Sequence, residues 1–108
     1  MERMVLVYTT YSSVVEAEKA GRALVEQHLA ACVNIIPGMV SIYRWENALE
    51  RAQEAVMIVK TRASLADAAS AMVKDMHAYD TPAVLVVPVE KVDPAYLAWM
   101  TAETAPAG

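Results

Sequence analysis

The sequence predicts an α+β domain of the ferredoxin-like kind, in the element order βαββαβ. Two capping signals, at Ser13 and Ser64, each precede apolar residues at helical spacing. Stretches rich in β-branched and aromatic residues flank and separate the two helices. The length of 108 residues suits one domain with one core, taken as residues 1–108.

Residues 3–10 read as the first strand. Ser13 and Glu16 have the spacing of a capping box, in which the hydroxyl takes one orphan N–H and the carboxylate reaches back to another. Ala17, Ala20, Gly21, Leu24, Val25 and His28 then recur at helical spacing, predicting a helix to about residue 29 with His28 packed on its apolar stripe. A mid-helix glycine costs roughly 1 kcal/mol against alanine, so Gly21 is expected to permit close approach to the sheet. Residues 31–45 read as a long strand interrupted at Pro37-Gly38, where proline removes a ladder donor and glycine permits a bulge. A turn at residues 46–48 leads into a strand over 51–61, making one long antiparallel hairpin.

Ser64 and Asp67 form the second capping signal, followed by Leu65, Ala68, Ala69, Met72, Val73 and Met76 in an i, i+3, i+4, i+7 pattern. Residues 76–82 read as a loop and 83–90 as a strand in which Pro88 indicates an edge or a bulge. Asp93-Pro94 is an N-cap followed by proline at the first helical position, starting a short helix through residue 99. The small, polar tail at 102–108 is expected to fray. Right-handed crossovers then give a four-stranded antiparallel sheet of order 4-1-3-2 with helices on one face.

Composition narrows the partners. Apolar residues make up 56% of the chain, above the usual share of about 45–50%, and a small domain has little interior to hide them, so burial against a partner is expected. The net charge is −4 and the nine basic residues are scattered, which gives polyanion binding little support; no nucleic-acid partner is expected. Cys32 is the single cysteine and cannot form an internal disulfide, which fits a reducing compartment. The apolar stretch at the N-terminus is too short for a signal peptide, and residues 82–89 fall far short of a membrane span. The expectation is a cytoplasmic protein without a membrane partner.

The hairpin is too long for a lone domain. Each arm runs to roughly 11 to 15 residues where a strand usually has about 5–6. The overhanging half carries Val40, Ile42, Tyr43 and Trp45, apolar groups beside open strand edges. A second copy that pairs with the edge and buries the rings resolves this, and closure of such pairing into a ring avoids fibres. Pro82 and Trp99 complete the expected interface.

Five segments resemble the CutA family of divalent-cation tolerance proteins: Leu29-Ala30-Ala31-Cys32-Val33-Asn34-Ile35, Ser41-Ile42-Tyr43-Arg44-Trp45-Glu46, Glu54 with Lys60-Thr61, His77-Ala78-Tyr79-Asp80-Thr81-Pro82 and Tyr96-Leu97-Ala98-Trp99. They fall in order across residues 4–103. The resemblance implies a ferredoxin-like trimer with strands extending across subunit boundaries, a link to tolerance of copper and other divalent metals, and an architecture similar to the PII signalling proteins. It implies no reaction. The chain departs from the family pattern at Asn47, where glycine is common, and at Ala78, where proline is common. Tyr8 and Met76 stand where some members have cysteine and histidine implicated in copper contact. Thiol becomes phenol and imidazole becomes thioether, which weakens a copper(II) site of that kind.

The candidate metal ligands are His77 and Cys32. His77, beside Tyr79 and Asp80, could hold Cu²⁺ or Zn²⁺ as a neutral imidazole, or serve as a hydrogen-bonded interface residue. Cys32 could ligate a soft metal as thiolate, or pack as a small buried residue. Met4, Met57, Met72 and Met76 invite a Cu(I) reading but fit core positions better. Tyr43, Trp45, Glu46, Lys60, Tyr79 and Asp80 are expected to line a cleft between subunits. Lys60 alternates with Val56 and Ile58, so it needs a carboxylate such as Glu46, Glu54 or Asp80, or an anionic ligand. The chain lacks GxSxG, P-loop, HExxH and GxGxxG motifs. The expected function is therefore non-catalytic: a trimer with no obligatory cofactor that holds copper or another divalent ion weakly at an exposed or inter-subunit site. The alternative is a PII-like sensor of a small anionic ligand near Lys60.

Overall fold

A computed structural model describes residues 2–105 of the chain. The elements run β1 (Met4–Tyr11), α1 (Val14–Glu26), β2 (Cys32–Trp45), β3 (Ala48–Arg62), a 3-10 turn (Ala63–Leu65), α2 (Ala66–Asp75), β4 (Val84–Pro88) and α3 (Pro94–Glu103). The sheet order is β2-β3-β1-β4, all neighbours antiparallel, which is the expected 4-1-3-2 read from the other edge.

The period of two along each strand sorts the core into two layers. Val7 and Tyr11 of β1 and Met57 and Val59 of β3 face α1 and α2, where they pack with Ala17, Ala20, Leu24, Ala69 and Val73. Met4 and Leu6 point the other way and meet Met100, Tyr96 and Leu97. The third helix therefore lies on the opposite face from the first two, so the helices do not share one face as expected. Gly21 has the predicted role: a Cβ built there would stand 2.7 Å from Val33 Cγ2.

Local signals are partly redirected by longer-range contacts. Ser13 caps α1 by accepting the Glu16 N–H at 3.2 Å, but the Glu16 carboxylate accepts from the Ser12 hydroxyl instead of closing a capping box. The helix stops at Glu26, before residue 29, because His28 turns left-handed at φ 59°. His28 is consequently exposed and off the apolar stripe, with Nδ1 3.2 Å from the Glu103 carbonyl. Ser64 caps nothing: it sits in the 3-10 turn and donates to Glu2 at 2.6 Å. Asp93 caps α3 as expected, accepting from the Ala95 and Tyr96 N–H groups.

α3 continues past residue 99 to Glu103, and the fray expected from 102 does not begin there. Arg62, nearly buried, explains the extension. It donates to Thr104 Oγ1 at 2.8 Å and to the Thr101 and Thr104 carbonyls, while Glu2 lies 3.6 Å away as its counter-charge. The Ala105 N–H donates to the His28 carbonyl at 2.7 Å. Residues 106–108 of the expected tail lie outside the described residues.

The hairpin is as long as the sequence implies. β2 has 14 residues and β3 has 15. Its register shifts between Ile36 and Met39, at the Pro37-Gly38 break, with Gly38 at φ 75°. Glu46 and Asn47 are both left-handed, at φ 48° and 66°, as a two-residue hairpin turn requires; asparagine tolerates that region, so glycine is dispensable at 47. β1 pairs with β3 only from Ala55 onward. Beyond that point the hairpin is a bare two-stranded ribbon, and the molecule extends 45 Å along its long axis against 25 and 22 Å across.

Candidate cleft between the ribbon and the loop after the second helix

The loop from residue 76 to 83 crosses the end of β1 and is pinned there by His77. The imidazole stacks on buried Tyr11, with centroids 4.4 Å apart and planes 11° apart. Its Nδ1 accepts the Tyr79 N–H at 3.1 Å. A backbone N–H can only donate, so the proton sits on Nε2, which donates to the Thr10 carbonyl at 2.7 Å. Both ring nitrogens are thus committed within the chain, and no lone pair faces a metal.

This anchoring turns Tyr79 over the sheet end, where its hydroxyl donates to Glu54 Oε2 at 2.9 Å. Burial, and then the Glu54 carboxylate that accepts its proton, push the Tyr79 phenol up to about 12. Tyr11, deeper, is pushed up to about 12 chiefly by burial.

Between loop and ribbon opens a cleft of about 710 Å³. Tyr8 and Thr10 form its floor, Ser41, Ile42, Tyr43, Trp45 and Glu54 its ribbon wall, and Ala78, Tyr79, Asp80, Thr81 and Ala83 its loop wall. Four of the six expected cleft residues meet here: Tyr43, Trp45, Tyr79 and Asp80. Glu46, in the turn, is not among the lining residues.

Lys60 is not among the lining residues either. It stands near the far end of the sheet, paired with Leu6 and Cys32, and its Nζ lies 3.4 Å from the Tyr96 hydroxyl and 5.5 Å from the Tyr96 ring centroid. An aromatic face and a hydroxyl, not a carboxylate or a ligand, satisfy the half-buried ammonium. The cleft consequently presents two carboxylates, three phenols and an indole, and no basic side chain.

The two proposed metal ligands are not brought together. Cys32 aligns with Leu6 across β3, while His77 meets Thr10. Four strand residues separate those levels, roughly 13 Å at the usual rise per residue. Cys32 is half-buried rather than buried, with Asn34 Nδ2 at 3.8 Å from its sulfur. Among the described residues no group of three or more His, Cys, Asp or Glu side chains could hold a metal ion. Of the methionines read as core, Met4 and Met57 are buried and Met72 packs against the core, but Met76 is exposed.

Tyr8 and Glu54 are among the lining residues outside the expected set. Both lie on the face that carries Leu6, Lys60 and Val56, so strand alternation was the available signal. The tyrosine hydroxyl lies 3.6 Å from Met39 sulfur, which seats the start of the ribbon on β1. The expected interface residues Val40, Ile42, Tyr43, Trp45 and Trp99 are all exposed on the single chain, with Ile42 69% and Trp45 51% exposed, while Pro82 is half-buried. Leu49, at 70%, and Leu85, Val86 and Val87 of the β4 edge add to the uncovered apolar surface. No helix among the described residues is long and apolar enough to cross a membrane.

Comparison with known proteins agrees with this architecture. The chain is 43% identical to Protein CutA of Mus musculus over 78% of its own length and 48% of that protein's. It is 37% identical to Protein CutA 1, chloroplastic, of Oryza sativa subsp. japonica over 93% of itself and 56% of the relative. It thus spans about half the length of these longer relatives. Against the divalent-cation tolerance protein CutA of Thermus thermophilus the identity is 38%, covering 96% of this chain and 99% of the other. The crystal structure of divalent ion tolerance protein CutA1 from Ehrlichia chaffeensis superposes with a TM-score of 0.93 at 30% identity, covering 98% and 99% of the two chains. The Thermus thermophilus structure gives 0.90 at 36% identity, covering 94% and 99%. The family of the CutA1 divalent ion tolerance protein matches residues 5–103, and with that span matched and the fold shared throughout, this chain belongs to the CutA1 family.

Proposed function

We propose that this protein acts in tolerance of divalent cations as a homotrimeric binding protein rather than as an enzyme, working in the cytoplasm. Its relatives' names supply the physiological heading. The observation that carries the assembly is the bare ribbon: Val40, Ile42, Tyr43, Trp45 and Leu49 lie uncovered on an arm that no third strand flanks. Sister chains that cover those groups remove apolar surface from water at about 25 cal/mol per Å², and a closed ring of three leaves no unpaired end.

Contact with copper or another divalent ion is weak and shared between subunits in this reading. The absence of a three-ligand cluster among the described residues of one chain supports that, and so does the commitment of both His77 nitrogens. The anion-sensing alternative is disfavoured because Lys60 is away from a cleft that carries only acidic charge.

Light scattering tests the assembly: the expected mass is about three times the 11.8 kDa of one chain, and a concentration-independent single-chain mass overturns it. Calorimetry with Cu²⁺ tests the metal arm. Native protein and His77→Ala should give the same weak isotherm, and a tight isotherm that His77→Ala abolishes would restore histidine as a ligand.

A further inference from the structure

We propose that the cleft beside Tyr79 binds an organic ammonium ion, an amine carried on an apolar body. This deepens the binding-protein reading and rests on it: the sister chains that cover the ribbon leave the Tyr43 and Trp45 surfaces that line the cleft open to a ligand at the subunit boundary.

Charge comes first. Glu54 and Asp80 line the cleft, and no lysine, arginine or histidine does. Arg44 and Arg51, the basic residues of the ribbon, do not line it. Tyr43 shares its face with cross-strand Glu50, whereas Arg44 and Arg51 fall on the alternate positions, paired with Leu49 and Ile42. The Tyr79 phenol stays neutral through physiological pH and donates to Glu54, so it adds no charge of its own. Tyr79 engages Oε2 of Glu54 and leaves that carboxylate's charge in place to face a cation.

Aromatic faces decide between an organic cation and a metal ion. Tyr8, Tyr43, Trp45 and Tyr79 all line the space. Indole and phenol faces attract an ammonium through their quadrupoles, and they shield an apolar body from water. A calcium-like or magnesium-like ion instead wants six or more oxygens in a shell, and a copper or zinc ion wants imidazole or thiolate. The cleft supplies no imidazole nitrogen free to bind and no thiol. Its volume of about 710 Å³ falls inside the range of small-molecule pockets, roughly 300–1,000 Å³.

Three probes with one body and three charges test this: phenethylammonium, 2-phenylethanol and phenylacetate. Each is titrated calorimetrically into the native oligomer at low salt, with mass measured in the same buffer. The ammonium is expected to bind about tenfold tighter than the alcohol, with the carboxylate not binding, as one charge-assisted contact predicts. Glu54→Gln, which keeps an acceptor for Tyr79, should weaken ammonium binding about tenfold while leaving mass and melting temperature unchanged. Asp80→Asn gives an independent second reading of the same loss, and excess Cu²⁺ should not displace the ammonium. Equal binding of the three probes, no binding of the ammonium at millimolar concentration, or binding indifferent to both substitutions each overturns the proposal. A single-chain mass with ammonium binding intact would instead remove the trimer and leave the cleft.

Discussion

His77 and Tyr79 show how one residue type supports two readings that only geometry can separate. The sequence places an imidazole, a phenol and a carboxylate within four positions, a set that suits metal ligation. Within the single chain both ring nitrogens are hydrogen-bonded, because the backbone of the same loop and of β1 reaches them. No local pattern encodes that meeting, which joins residues 67 positions apart. The downstream effect on Tyr79 is measurable. Its folded phenol is raised to about 12 from an ordinary value of 10.0, and so is that of Tyr11. The folded chain therefore holds these protons more tightly than the unfolded chain. Their contribution to stability is complete below pH 10.0 and is lost as pH rises through the interval to about 12. Alkaline titration followed by tyrosinate absorbance should show a late rise near pH 12, and Tyr79→Phe should remove part of it. A late rise untouched by that substitution would mean that the Glu54 contact does not hold the proton.

At the scale of elements, the legible features were those set by periodicity and by residues with special backbones. Strand alternation, the 3.6-residue stripes, the Pro37-Gly38 break and the Asp93-Pro94 start all appear where expected. The misplaced features depended on distant partners. Ser64 left its cap for Glu2, α1 ended early at left-handed His28, and α3 ran on because Arg62 holds the carbonyls of its last turn. Gly21 joins the two kinds of signal, since its cost is local and its reason is β2. Alanine at 21 would gain about 1 kcal/mol of helix propensity. Its Cβ would meet Val33 Cγ2 at 2.7 Å, and the β-branched valine has little rotamer freedom with which to retreat. Overpacking of that kind costs about 1–3 kcal/mol, so the clash outweighs the propensity. Gly21→Ala should lower stability by about 1 kcal/mol in urea unfolding at fixed protein concentration. Val33→Ala in the same chain should return part of the loss, and an additive double mutant would show that the two residues do not press on each other.

For the whole molecule, the decisive feature is an imbalance between ribbon and body. The core of the body is closed by three helices on two faces, whereas Met39–Glu54 projects with no strand ladder but its own, held to the body at its base by the side-chain contacts of Met39 and Glu54. An isolated two-stranded ribbon is marginal in water at best, so its order must come from whatever covers it. The face bearing Val40, Ile42 and Leu49 is the most exposed apolar part of the ribbon, and it also carries Arg44 and Arg51. A single carboxylate placed at Ile42 would sit opposite Arg51 in the cross-strand register and be tolerated within one chain. Buried at a boundary between chains, the same carboxylate would face apolar neighbours, where a charge without a full set of partners costs several kcal/mol. Ile42→Glu should therefore shift the mass from three chains towards one at micromolar protein while the circular dichroism of the folded chain persists. Retention of the full mass would show that this face of the ribbon is not what sister chains cover. Loss of mass together with loss of the folded spectrum would show that body and ribbon do not stand apart, and that the chain folds only as it assembles.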